Sequence, residues 1–271
     1  MSSGPLLPPN ASAASQTRLQ LARQLAARCP PSTAAAIALT GSSAHGLADA
    51  SSDAEINHWV ERLPLLNVRA AYLSEAGVTR IEAEPAPRSD GSEWFQGYWG
   101  DIPVEVGWQA LDDLETSLRP LLTGETSEPE KLRLGELLVS AVLLREHDRL
   151  LALKTALARY PGPLRNRLLA ELSAPLRADD YWAAADRLAR RGERLTVVSS
   201  LAATLKTAVR LCYTVNRRWE ASDKWLLTLA AQLPVMPENW RARLDVALSA
   251  PPLPAVQLAR AWCDDALSLS R

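Results

Sequence analysis

The stretch Ile37-Ala-Leu-Thr-Gly-Ser-Ser-Ala-His-Gly-Leu-Ala-Asp-Ala-Ser-Ser-Asp-Ala-Glu-Ile56 decides the fold of this chain. Its apolar start predicts a short strand that ends at Gly41 and Ser42. A Gly-Ser turn at the start of a helix offers backbone N–H groups and a hydroxyl to a phosphate. Asp53 and Glu55, one residue apart, share a face of the strand predicted next. Two carboxylates beside such a turn indicate a site for a Mg²⁺–nucleotide complex.

The composition is that of a globular protein in water. The chain has 271 residues, 47% hydrophobic and 23% charged, which is enough for one large domain or two ordinary ones. A net charge of −1 provides no global field that would attract nucleic acid or an anionic membrane. Cys29, Cys212 and Cys263 are far apart and lack zinc-ligand spacing, as expected of thiols in a reducing compartment. With no signal-peptide pattern and no membrane-spanning apolar run, we expect a cytoplasmic protein without a membrane partner.

Strands and helices are both predicted in the first half of the chain. The predicted helices are 16–28 and 63–76, and the predicted strands are 36–39, 53–59, 78–82, 94–98 and 102–106. In the last strand, alternate residues from Ile102 to Val106 share the apolar face, so Glu105 lies on the opposite face. His58 is expected to pack on the inner face of its strand.

From Leu111 onward, helical periodicity replaces the strand signals. The predicted helices are 111–122, 130–159, 163–172, 179–190, 193–218, 222–232, 238–249 and 254–268, and Ser222 is the predicted N-cap of the sixth. The fold class expected is therefore α+β, with a small mixed sheet and flanking helices followed by an all-α domain. The predicted divisions are a flexible tail over 1–15, a first domain over 16–122 and a helical domain over 123–271.

The helix predicted over 193–218 carries a second candidate surface. Lys206, Arg210, Tyr213 and Arg217 recur at intervals of four, three and four, on a face other than the apolar one. The stretch 215–226 then adds an asparagine, further basic residues and two tryptophans. Such a corner suits an anionic, planar ligand, whereas the alternative is a solvated basic stripe with its tryptophans in the core.

These residues resemble the signature of the polymerase-β-like nucleotidyltransferase superfamily. That signature is hydrophobic-Gly-Ser, a spacer, Asp-x-Asp/Glu and a third carboxylate on a later strand. It is matched by Leu39-Thr-Gly-Ser42, a ten-residue spacer, Asp53-Ala-Glu55 and Glu105. The small-molecule branch, which contains aminoglycoside nucleotidyltransferases, is similar in placing a minimal catalytic domain before an all-helical one. The stretch 216–225 is similar to a segment in the helical half of uncharacterised bacterial relatives.

The resemblance implies an enzyme that moves a nucleoside monophosphate from an NTP, with ATP expected, to a hydroxyl of a small molecule. Asp53, Glu55 and Glu105 are then the catalytic and metal-binding residues for Mg²⁺ or Mn²⁺. The implied nucleotide-binding residues are Gly41, Ser42, Lys206, Asn216, Arg217 and Lys224. An acidic cleft formed by Glu82, Glu84, Glu105, Asp112 and Asp113 would favour a cationic acceptor resembling an aminoglycoside.

Two other functions remain open at this point. One is a nucleotidyltransferase that modifies a partner protein or a tRNA, as toxin–antitoxin relatives do. The other is a nucleotide-binding or interaction protein whose catalysis is weak or lost. A hydrolase is disfavoured because the chain has no Gly-x-Ser-x-Gly elbow, and a P-loop because no Gly-Lys-Ser/Thr follows Gly41.

Overall fold

The computed structural model describes residues 7–220 and 222–270, and it confirms the α+β class. The chain forms two compact units. The first comprises residues up to 120 together with 134–159, and the second comprises 121–133 together with the residues from 160 onward. The sequence predicted one division, between 122 and 123. The units do divide near that point, but residues 134–159 belong to the first unit as well.

The first unit is built on a six-stranded mixed sheet in the order β3-β4-β5-β2-β1-β6. The strands are β1 (Ala36–Leu39), β2 (Ala54–Val60), β3 (Thr79–Ala83), β4 (Glu93–Trp99), β5 (Ile102–Ala110) and β6 (Val142–Arg145). β2 and β5 pair in parallel, and the other neighbouring strands are antiparallel. The helices up to residue 159 are α1 (Ala13–Arg28), α2 (Gly41–Ala44), α3 (Leu66–Ala76), α4 (Leu111–Thr123), α5 (Pro129–Ser140) and α6 (Asp148–Ala158). Of these, α4 and α5 each have residues in both units.

One face of this sheet packs against α1 and α3 and forms the apolar core of the unit. Leu25, Leu39, Ile56, Leu73 and Val106 are among its buried residues. Alternate residues of β2 and β5 supply this face, so the intervening residues of both strands occupy the other face. The alternation predicted for β5 is therefore confirmed, whereas β2 is also buried at Asn57 and Trp59 on its other face.

His58 lies on the inner face of β2, as predicted, and is fully buried. Its ring stacks on Trp108 with the ring centroids 4.5 Å apart, and its Nε2 is 3.3 Å from the Tyr72 hydroxyl. Burial lowers the pKa of His58 to about 3, because the imidazolium would lose its hydration. The ring is therefore a neutral part of the core.

The continuous helix predicted over 130–159 is wrong. α5 ends at Ser140, and β6 pairs antiparallel with β1 before α6 begins at Asp148. The Lys154 ammonium donates to the carbonyl oxygens of Leu138 (2.8 Å) and Ala141 (3.0 Å), which satisfies groups at the end of α5. The short apolar run around Val142 fits a buried helix or a strand equally well, so its periodicity could not separate the two.

The second unit contains the remaining helices: α7 (Gly162–Leu176), α8 (Asp179–Arg190), α9 (Arg194–Val215), α10 (Leu226–Ala230), α11 (Trp240–Ser249) and α12 (Pro252–Ser268). Its core lies between α9 and α12, where Leu205, Cys212 and Trp262 are buried. Tyr213 was predicted on the basic face but is buried, and its hydroxyl donates to the Leu226 carbonyl oxygen at 2.6 Å.

Two predicted helix starts are corrected. α10 begins at Leu226 with Trp225 as its N-cap, so Ser222 does not cap it. α1 begins at Ala13 with Ser12 as N-cap, so residues 7–15 of the expected flexible tail have defined structure; residues 1–6 lie outside the described range.

Within the described part of the chain, α9 alone has the length and apolar character of a membrane-crossing helix. Core helices pass the same test, and α9 supplies much of the core of the second unit.

Candidate nucleotide site

The Gly-Ser turn lies at the end of β1, where α2 begins at Gly41. The Thr40 N–H donates to the Glu55 carbonyl oxygen at 2.9 Å, and the Thr40 hydroxyl accepts from Asn57 Nδ2 at 2.8 Å. Gly41 has a φ of +64°, and a Cβ at this position would overlap the Glu55 carboxylate. The positive φ favours glycine, and a larger residue here would displace the end of the Glu55 side chain, so the turn and the second acid of the motif are packed directly together.

The strand register brings two of the three predicted acids together. Glu55 on β2 pairs with Glu105 on β5, and paired residues of neighbouring strands point to the same face. Asp53 immediately precedes β2. Its carbonyl oxygen accepts from Arg18 Nε at 3.2 Å and from Ser43 Oγ at 3.5 Å. Sequence spacing had placed Asp53 and Glu55 on one face, and the register adds Glu105 beside Glu55.

Carboxylate oxygens are the donors that a hard cation such as Mg²⁺ prefers, so the donor chemistry fits the implied metal. Among residues 7–220 and 222–270, however, no three His, Cys, Asp or Glu side chains are grouped as a metal site. The metal-binding role of Asp53, Glu55 and Glu105 therefore stays a prediction.

Arg88 is a residue of this face that the sequence reasoning missed. Its guanidinium lies 4.2 Å from the Trp94 ring centroid, and its Nε donates to Glu84 Oε2 at 3.1 Å. The hydrogen bond to Glu84 and, to a smaller extent, the charge of Glu105 raise the pKa of Arg88. No local pattern marks this arginine, because it belongs to the loop between β3 and β4.

Two of the five acids of the expected cleft pair with arginines. Glu84 pairs with Arg88, which lowers the pKa of Glu84, and Asp112 Oδ1 lies 2.6 Å from Arg149 Nη2. Two of the five negative charges are thus neutralised nearby, which reduces the attraction for a cationic acceptor.

The predicted nucleotide-binding residues of α9 and the segment after it belong to the second unit. Asn216 is its most constrained member. Its Nδ2 donates to the carbonyl oxygens of Cys212 (2.8 Å) and Val235 (2.7 Å), and its Oδ1 accepts from the Val235 N–H at 2.9 Å. These bonds end α9 and fix the segment that follows.

The three predicted cations of this unit differ in their surroundings. Lys206 pairs with Asp223 and lowers the pKa of that carboxyl group. Arg217 is exposed and has a φ of +53°, next to the end of α9. Lys224 is also exposed. Their binding of nucleotide stays a prediction.

The second unit also contains a cavity of about 130 Å³ that takes in part of the basic and aromatic corner predicted for 215–226. Its lining includes Tyr160, Arg210, Arg218, Trp219 and Glu220. The ring centroids of Tyr160 and Trp219 are 5.3 Å apart, and Arg210 Nε lies 3.1 Å from Glu220 Oε2. Burial raises the pKa of Glu220, and the charge of Arg210 opposes this increase.

A groove of about 450 Å³ in the first unit runs beside Ala44 of α2 and Lys154 of α6. Burial lowers the pKa of Lys154 to about 8. The burial of Lys154 could not be predicted from the sequence, because a lysine within a helix is ordinarily solvated.

Comparison with known proteins gives limited information about this architecture. A family model described as a domain of unknown function, DUF4037, matches residues 129–226. No curated protein matches the chain. Among solved structures, a nucleotidyltransferase-like protein from Exiguobacterium sibiricum is similar, with 13% identity and a TM-score of 0.44 over 94% of this chain and 73% of that one. A similarity at this level carries no argument about the activity or the site of this chain.

Proposed function

We propose that this protein transfers a nucleoside monophosphate from an NTP, with ATP expected, to a hydroxyl of a small-molecule acceptor. The packing of the Glu55 carboxylate against Gly41 is the observation that carries the proposal. It joins the Gly-Ser turn to the acidic motif, and the register of Glu55 with Glu105 extends the acidic face to the next strand. The resemblance of this combination to nucleotidyltransferases gives the reaction class.

In this reaction the acceptor hydroxyl oxygen forms a bond to the α-phosphorus, the bond to the pyrophosphate oxygen breaks, and pyrophosphate leaves. Gly41 and Ser42 hold phosphate oxygens, and Glu105 accepts the proton of the attacking hydroxyl. Asp53, Glu55 and Glu105 would hold Mg²⁺ or Mn²⁺, which supplies electrostatic stabilisation for the charge that develops on the phosphate.

The acceptor class is tested together with the reaction. The full-length protein is incubated with MgCl₂ and each of the four NTPs, with or without an aminoglycoside panel or total RNA, and pyrophosphate is measured. We expect release that depends on an acceptor from the small-molecule panel and falls at least 100-fold in Asp53→Asn. Release that depends only on RNA would favour the tRNA alternative.

Glu75→Gln provides the matched control, because Glu75 is an exposed carboxylate of α3, on the opposite side of the sheet. It should keep wild-type activity. Equal activity in Asp53→Asn and the wild type would overturn the proposal.

A second candidate is a nucleotide-binding protein that turns over slowly or not at all. The observation that favours it is the lack of a three-ligand metal group in the described residues. This candidate predicts NTP binding without pyrophosphate release for every acceptor, and an unchanged NTP affinity in Glu105→Gln.

A further inference from the structure

The loop that joins the Gly-Ser turn to Asp53 is bound along one face of α1. Three polar residues of this helix, at intervals of three, make the contacts: Ser12, Ser15 and Arg18. Residues at this spacing lie on neighbouring positions of one helical face. The helix predicted from the sequence began at residue 16, so Ser12 and Ser15 lay outside it and had no predicted role.

The serines hold the beginning of the loop. The Ser12 N–H donates to the Gly46 carbonyl oxygen at 3.0 Å, and its hydroxyl donates to the Ala48 carbonyl oxygen at 2.6 Å. The Ala48 N–H donates to the Ser15 hydroxyl at 3.0 Å. Ser15 is fully buried, so this bond replaces hydration that the group has lost.

Arg18 holds the end of the loop. Its side chain is only 4% exposed. Its Nε donates to the carbonyl oxygens of Ser52 (2.9 Å) and Asp53 (3.2 Å), and its Nη2 donates to Ser52 again and to Ala50 (3.5 Å). A buried guanidinium that donates to the carbonyls of Ala50, Ser52 and Asp53 fixes this backbone far more tightly than solvent contacts could.

We infer that Arg18 is a positioning residue for the Asp53 carboxylate, and that Ser12, Ser15 and Arg18 together set the distance between Asp53 and the Gly-Ser turn. The inference rests on the proposed function, because it assigns Asp53 a role in binding the metal–nucleotide complex. Misplacement of a reacting group by about 1 Å can reduce a rate by about 100-fold, so a fixed backbone at Asp53 has a direct effect on activity.

The first experiment uses electron paramagnetic resonance to measure the affinity for Mn²⁺·ATP. It compares the wild type with Arg18→Met, Arg18→Lys, Asp53→Asn and the double variant Arg18→Met/Asp53→Asn. We expect Arg18→Met to weaken binding about tenfold or more, and Arg18→Lys to recover part of the loss because an ammonium can reach some of the carbonyls. If Arg18 acts through Asp53, the double variant binds no more weakly than Asp53→Asn alone.

A purely structural role gives a different pattern. In that case the losses of binding free energy in the two single variants add in the double variant. Alternatively, Arg18→Met lowers the melting temperature but leaves the affinity unchanged at temperatures where the variant is folded. Either result overturns the inference. Arg23→Met, which removes an exposed arginine from the same helix, is the matched control and should bind as the wild type does.

Hydrogen exchange supplies a second readout that uses a different variant, so the inference can still be tested if Arg18→Met does not fold. Ser15→Ala removes the bond from the Ala48 N–H and the contact with the Ser12 hydroxyl, and it should speed exchange in a peptide covering 46–54 while leaving α9 unchanged. Unaltered exchange in that peptide would contradict the inference. Wild-type protein that does not bind Mn²⁺·ATP would instead overturn the proposed function, which separates the two failures.

Discussion

The candidate residues of the two units differ in what their contacts do. In the first unit, Gly41 and Glu55 are in direct contact across two elements, and Glu105 is brought beside Glu55 by strand pairing. In the second unit, Asn216 and Lys206 have partners within their own unit, which hold the end of α9 and an ion pair. The comparison indicates that a motif assembled by long-range contacts is stronger evidence for a site than a cluster of suitable residue types along one segment.

The largest expected effect concerns Gly41. Gly41→Ala puts an alanine at a positive φ, which should lower the unfolding free energy by about 1–3 kcal/mol. Its methyl group also displaces the Glu55 carboxylate, so we expect NTP binding below detection. Chemical denaturation and isothermal titration calorimetry check this. Gly100→Ala is the control, because Gly100 has a similar φ of +58° but no atom near the added Cβ. The two variants should lose similar stability, and an equal loss of NTP binding in both would show that the contact with Glu55 has no special importance.

The core of the first unit predicts a dependence of stability on acid. The pKa of His58 is about 3 in the folded protein, below the 6.5 of a solvated histidine, so the unfolded chain binds more protons between these values. The stability present above pH 6.5 is therefore lost as the pH falls toward 3, by about 2–3 kcal/mol between pH 7.5 and 4.5.

Urea denaturation at the two pH values measures this difference. In His58→Phe the pH-dependent loss should shrink by that amount, even if the variant is less stable overall. His147→Gln, which alters a half-exposed histidine, should retain it. A His58→Phe protein as acid-sensitive as the wild type would contradict the assignment of a neutral buried imidazole.

Asn216 sharpens the comparison between the units. Asn216→Ala removes three side-chain hydrogen bonds and should lower the unfolding free energy by about 1–3 kcal/mol, because the Val235 carbonyl and N–H lose this partner. The Cys212 carbonyl still accepts from the N–H of residue 216. If Asn216 only ends α9, NTP affinity is unchanged in the folded variant. A tenfold weaker affinity would support its predicted role in nucleotide binding. Asn67→Ala, at an exposed position of α3, controls for the loss of an amide.

Lys206 gives the smallest expected effect on stability. Its pair with Asp223 is largely exposed, so Lys206→Met should change the unfolding free energy by less than about 1 kcal/mol. Loss of one phosphate contact would weaken NTP binding about three- to tenfold and reduce its salt dependence. Lys131→Met, which breaks a comparable exposed pair with Glu128, should leave affinity unchanged. Identical affinities in both variants would remove Lys206 from the candidate site.

Local patterns predicted the elements that local contacts decide. α8 spans the residues predicted from its periodicity, and Gly77, with a φ of +100°, ends α3 as predicted. β6 was missed because its assignment depends on pairing with β1, which lies about a hundred residues earlier in the chain. Strand pairing over that distance leaves no periodic signal.

The same distinction applies to the candidate site. The Gly-Ser turn and Asp53-Ala-Glu55 could be recognised because their residue types and spacing are adjacent in sequence. Arg18 and Arg88 could not, because their importance comes from the backbone or ring that each contacts after folding. Asn216 shows the reverse case. Its residue type suggested nucleotide binding, but in the structure its side-chain amide is hydrogen-bonded to the backbone of Cys212 and Val235.

The parallel pairing of β2 with β5 also has a consequence for folding kinetics. Glu105 follows Glu55 by 50 residues, and α3, β3 and β4 lie between them. The two acids become neighbours only after this long segment closes, a step opposed by chain entropy. A ligand that bridges them would bind the native state alone, so the rate at which binding capacity appears during refolding would report the completion of the whole sheet.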